Sequence, residues 1–156
     1  MMKRLALIII MAICFAFASF SQLYIGYPKS KINTEIANTT VSSIITQSND
    51  GTYTLSVTFS DGHFGAYIFD DLTNNCTLYV LGFADKGTYK QVLKNTKKKF
   101  NKASDYKDSW YLPRIGYTCV ISTFNIKGID IIVVYPVAKL TEIINLRRTV
   151  EEQYSY

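Results

Sequence analysis

The stretch Tyr53–Phe83, "YTLSVTFSDGHFGAYIFDDLTNNCTLYVLGF", decides the fold. Its first seven residues alternate. Tyr53, Leu55, Val57 and Phe59 point one way and Thr54, Ser56 and Thr58 the other, the pattern of a strand with one buried face. Asp61-Gly62 follows, a dipeptide favoured in two-residue type I′ turns, and "HFGAYIFD" returns as the partner strand. Asn74-Asn75 supplies a second turn, because asparagine tolerates a positive φ. "CTLYVLGF" is apolar on both faces and reads as a central strand.

Working outward, "TTVSSIITQ" and the turn "SNDG" add one strand before this meander. Earlier still, "GYPKSKINTEIANTT" places Ile32, Ile36 and Ala37 at helical spacing, which predicts a short helix capped by Ser30. Downstream, "DKGTYKQVLKNTKKKFNKA" is an amphipathic helix. Thr88 and Gln91 match a capping box, Tyr89, Val92, Leu93, Thr96 and Phe100 form the inward stripe, and the lysines form a solvated face. "ASDYKDSWYLPRIG" is a polar loop with an aromatic centre. "YTCVISTFNI", the turn Lys127-Gly128 and the continuously apolar "IDIIVVYP" make a second hairpin, ended by Pro136. The tail spaces Leu140, Ile143, Ile144, Val150 and Tyr154 for a final helix, frayed at its end. The order α-ββββ-α-ββ-α predicts an α+β fold, an antiparallel sheet of about six strands with helices packed on one face.

The N-terminus carries its own message. Lys3 and Arg4 precede the apolar run Leu5–Ala18, and small residues follow, the layout of a secretory signal peptide. The run is shorter than the roughly 20 residues a membrane-spanning helix needs. The reading is therefore 1–21 as signal peptide and 22–156 as a single α+β domain, exported to the periplasm, cell surface or medium. A membrane contact would arise only through an uncleaved N-terminal segment. Lys3 and Arg4 leave with the signal, taking the net charge from +5 to +3. That charge is too mild for a nucleic-acid surface, which needs a dense basic face. Cys14 leaves too, so Cys76 and Cys119 remain as an even pair. In an oxidising compartment such a pair is a disulfide candidate, with two buried thiols the alternative.

Catalytic equipment is sparse. His63 is the only imidazole, and beside a hairpin turn it reads as a solvent-facing strand residue. The sequence has no G-x-S-x-G elbow, C-x-x-C pair or phosphate-cradling glycine loop. Asp70, Asp71, Asn74 and Asn75 lack calcium-loop spacing, and one His with two distant Cys falls short of a zinc set. No catalytic residue, metal or cofactor is assigned. The binding candidates are Tyr106, Trp110, Tyr111 and Arg114, because Tyr and Trp anchor recognition surfaces; the competing reading places Trp110 and Tyr111 in the core. The function that follows is a small, non-catalytic, exported binding domain whose partner is a protein or cell-envelope component, its oligomeric state open. The alternative is a small periplasmic hydrolase or carbohydrate-acting enzyme using His63 or a carboxylate pair, recognisable by a concave pocket holding them.

"YIGYPKSKI", "YIFDDLTNNCTLYVL" and "SWYLPRIGYTCVIS" followed by "IKGIDIIVVYP" together carry a resemblance. With Tyr24, Gly26, Phe69, Asp70, Cys76 and Trp110 in place, the chain resembles a loose group of small exported proteins of Bacteroidetes-type bacteria. The resemblance implies export and a mixed helix–sheet fold only, and does not bear on activity. Cys119 and the final helix from Val137 depart from the group's pattern.

Overall fold

Seven strands follow from the alternating stretches. They are β1 (Thr40–Gln47), β2 (Tyr53–Phe59), β3 (Phe64–Phe69), β4 (Cys76–Phe83), β5 (Ser109–Leu112), β6 (Tyr117–Ile126) and β7 (Ile129–Pro136). They form one open antiparallel sheet in the order β1-β2-β3-β4-β7-β6-β5. Three helices join them: α1 (Lys29–Ile36), α2 (Lys86–Lys98) and α3 (Leu140–Tyr154). This computed structural model describes residues 24–98, 109–112 and 117–154. The signal segment 1–21, Tyr106 and Arg114 lie outside the described residues.

The architecture is the α+β antiparallel sheet read from the sequence, with particulars that differ. The seventh strand is β5. The stretch expected as loop pairs with β6, setting Trp110 opposite Cys119 and Tyr111 opposite Thr118. The helices also divide between the two faces. Ile32 and Ile36 of α1 and Val92 of α2 join Leu55, Val57, Phe59, Tyr67, Tyr79, Ile121 and Val134 in the larger core. Ile143 of α3 packs instead with Leu78, Val120, Ile131, Val133 and Tyr135. These are the alternate positions of the same strands and so occupy the opposite face. A helix on one face alone would leave that second row of apolar residues in water.

Turn chemistry fixes the register. The β2–β3 hairpin closes through a three-residue loop, not the two-residue turn expected. The Gly62 N–H donates to the Phe59 carbonyl at 3.0 Å and the Phe59 N–H to the His63 carbonyl at 2.9 Å. Only Gly62 has a positive φ, +88°, whereas a type I′ turn needs one at both central residues. Lys127-Gly128 does satisfy that condition, with φ of 49° and 85°. The helix caps also sit elsewhere than expected. Pro28, not Ser30, precedes α1, and no side chain caps it. Asp85, not Thr88, caps α2, its Oδ2 accepting from the Thr88 N–H and hydroxyl, both at 2.6 Å.

The segment before α1 is tied to the sheet. The Gly26 N–H donates to the Cys76 carbonyl and the Cys76 N–H to the Tyr27 carbonyl, both at 2.8 Å. This docks Tyr24 against Tyr67 and Tyr79, with ring centroids 5.5 and 5.7 Å away and edge-to-face geometry.

Candidate functional site

The second face of the sheet is covered unevenly. α3 lies over β4, β7 and β6, while the half built from β1, β2 and β3 has no helix above it among the described residues. Register places three rows there: Ser42–Thr58–Phe64, Ile44–Ser56–Ala66 and Thr46–Thr54–Ile68. The rows are uncharged hydroxyls with apolar residues set among them. Ile44 is 66 % and Phe64 42 % exposed. Phe64 is held flat because its ring lies across Gly82, where any Cβ would collide with it.

The same strand β1 borders a second feature on the first face. A cleft of about 260 Å³ opens between α1 and the β1–β2 pair, lined by Asn33, Ile36 and Ala37 on one side and Ser43, Ile45 and Leu55 on the other. It is uncharged and slightly smaller than the roughly 300–1,000 Å³ of ordinary small-molecule sites. Together the bare face, the β1 edge and the cleft form the exposed apolar surface at this end of the molecule. Val41, Ile44 and Ile45 all belong to it.

His63 is not on the surface, contrary to the sequence expectation. Its ring is 3 % exposed and stacks between Phe59, 4.2 Å away, and Phe83, 4.9 Å away. The carboxylate of Asp61 accepts from the His63 backbone N–H at 3.2 Å and pairs with Nδ1. Burial holds the imidazole pKa below its ordinary value, outweighing the upward pull of Asp61. At neutral pH the ring is therefore uncharged, with Nδ1–H donating to Asp61. A cavity of about 90 Å³ beside it is lined by Asp61, Gly62, His63, Phe83, Asp85 and Thr88.

His63 and two carboxylates thus come together, the arrangement the hydrolase alternative asks for. Each group is already occupied. Asp61 braces the hairpin loop through His63, and Asp85 caps α2, its bonds to Thr88 lowering its pKa. The cavity would not admit a sugar. The position next to a hairpin gave no sign of this burial. The signal that could have given it is an aspartate two residues before the histidine with Phe59 and Phe83 flanking the pair of strands.

The predicted binding cluster is only partly placed. Trp110 and Tyr111 stand on the β5 edge strand, four strands from the bare face, while Tyr106 and Arg114 lie outside the described residues. Cys76 and Cys119 are buried and form no disulfide with each other. β7 runs between their strands, so they stand about 10 Å apart laterally, against the 4.4–6.8 Å that a disulfide spans. Burial lifts the Cys76 thiol pKa to about 12. Among the described residues no three His, Cys, Asp or Glu side chains converge as a metal set. No helix among them is long and apolar enough to cross a membrane. No known family model matches the sequence, and no curated protein or solved structure is significantly similar to it.

Proposed function

We propose that the chain is an exported, non-catalytic binding domain that holds a protein or envelope component against the bare β1–β3 half of its sheet. The observation that carries this reading is the exposure of Ile44 and Phe64 on an uncharged hydroxyl-rich face that no described helix covers. Large apolar side chains left exposed together on one open, uncharged face point to a contact surface. The flatness of this face favours a macromolecular partner over a small molecule. Export is supported by the signal-like N-terminus and by the resemblance to small exported proteins. The test is capture from envelope extract by the protein expressed from the full chain, compared with Ser56→Arg and Trp110→Ala. Ser56 is exposed at the middle of the bare face, so an arginine there blocks the surface without touching the core. Loss of a captured component with Ser56→Arg alone supports the reading; equal recovery by all three proteins removes the bare face as the contact surface.

A further inference from the structure

The outer edge of β1 has no strand beside it among the described residues. Its hydrogen-bonding direction can be worked out from the adjoining turn. The Ser48 N–H donates to the Thr52 carbonyl at 2.9 Å, and these two residues continue the β1–β2 register. Hydrogen-bonded and non-hydrogen-bonded pairs alternate along an antiparallel ladder. Ser42, Ile44 and Thr46 therefore bond to β2, while the N–H and C=O groups of Ser43, Ile45 and Gln47 project outward. Water can solvate such a row, but another strand can pair with it along its whole length.

The two edges of this sheet are built differently. β5 has four residues and runs into Pro113, and a short edge ended by proline is protected from pairing. β1 has eight residues, no proline and no charge, and its one irregularity is confined to Thr40/Ser42. Val41, Ile44 and Ile45 on it are 69 %, 66 % and 51 % exposed. Charge then selects among strand-shaped occupants. About a two-fold axis each residue faces a residue of the same short segment, so a charged edge would oppose like charges, which is destabilising. Thr40–Gln47 contains none.

We propose that two copies of this chain pair through antiparallel β1 edges about a two-fold axis at Ile44, the midpoint of residues 41–47. In that register Ser43 and the partner's Ile45 form the hydrogen-bonded pairs, and Ser42 stands opposite the partner's Thr46. Ile44 meets the partner's Ile44 in the close non-hydrogen-bonded pair on the bare face. The axis is perpendicular to the sheet, so both bare faces look the same way and merge into one platform. The pairing goes beyond the capture of an envelope partner and does not depend on it.

The experiment is sedimentation of the purified protein over a wide concentration range, with cysteine cross-linking to fix the register. The protein dimerises as concentration rises. Ile44→Cys gives a covalent dimer on mild oxidation, since a close pair has Cα atoms about 4.5 Å apart, within disulfide reach. Ser43→Cys and Ile45→Cys do not cross-link alone but do when mixed. Ile44→Lys, at an exposed position, leaves the circular dichroism spectrum intact and abolishes the dimer. A protein that is monomeric throughout, a dimer indifferent to Ile44→Lys, or cross-linking by Ile45→Cys alone would each overturn the pairing. A monomer that still captures an envelope component through the face blocked by Ser56→Arg would overturn the pairing and leave the capture reading standing.

Discussion

His63 shows how one side chain converts burial into a pH response. Its ring is closed in by Phe59 and Phe83, and Asp61 is its ionic neighbour, with Asp85 and Thr88 across the small cavity. In the unfolded chain the imidazole takes up a proton near its ordinary pKa of about 6.5. In the fold its pKa is depressed, so below that value the unfolded state binds more protons and stability falls with pH. The contribution is complete above about pH 6.5 and is lost as pH drops toward the folded value. Thermal melts from pH 7.5 to pH 5 will show a falling Tm, and His63→Phe, which keeps the stacked ring without the titration, will flatten that slope. Asp50, Asp70 and Asp85 have lowered pKa values, so their contribution is lost only in a more acidic window, below the ordinary carboxylate range. The Gly62 position separates backbone from packing in the same loop. A Cβ there meets nothing within 4 Å, so Gly62→Ala has a cost that is conformational alone, about 1 kcal/mol, read from a shift in the urea midpoint.

At the scale of elements, the strands were legible because alternation and β-branched residues mark them one by one. What the sequence does not mark is neighbourhood. "SWYL" carries no alternation long enough to announce a strand, and β5 exists because β6 offers it a ladder. The exposure of β1 depends on its place at the sheet's end, which nothing in "TTVSSIITQ" states. The thiol pair failed as a disulfide for the same reason, since β7 inserts between β4 and β6. Spacing marks the final helix, yet it does not tell that Ile143, near its start, is the one apolar residue of the helix buried among those described. Among Leu140, Ile143, Ile144 and Val150, Ile143 alone is buried, and Leu146 and Ile144 are exposed. Ending the chain after Asn145 will therefore leave the urea midpoint close to that of the full protein. Ile143→Ala will lower stability by about 2–4 kcal/mol, because it empties a site beneath Val133 and Tyr135. A truncation that costs as much as Ile143→Ala would show that the distal helix packs on the body.

The whole molecule depends on polar rings kept dry. Tyr24, Tyr67 and Tyr79 sit together in the larger core, with Tyr67 and Tyr79 stacked 5.7 Å apart, and Cys76 beside them. Burial raises all three phenol pKa values, Tyr67 and Tyr79 well above the usual 10, with the neighbouring phenols adding to the rise. The cluster ties the N-terminal segment, through Tyr24, to β3 and β4, and α1 and α2 close over the same core. Its ionisation cannot proceed one ring at a time, because each phenolate would stand in the low-dielectric centre of the domain. A raised acid contributes stability that is fully present below its unfolded pKa and is lost as pH rises through the folded one. These groups thus leave the fold insensitive to alkali up to about pH 8, where the unfolded thiols begin to ionise, and weaken it steeply beyond about pH 10, the ordinary pKa of the unfolded phenols. Titration followed at the phenolate absorbance will show a cooperative step that coincides with loss of the sheet's circular dichroism signal. Cys76 and Cys119 will become reactive to a thiol reagent at that same step, having been silent below it, since both are buried and the Cys76 thiol is held neutral to about pH 12 while folded. Tyr79→Phe will move the step to higher pH, because it removes one buried ionisable group and keeps the ring. Phenolate absorbance that rises smoothly through the entire range, with the sheet intact, would mean that the three rings are open to water and that the core is not closed by the N-terminal segment.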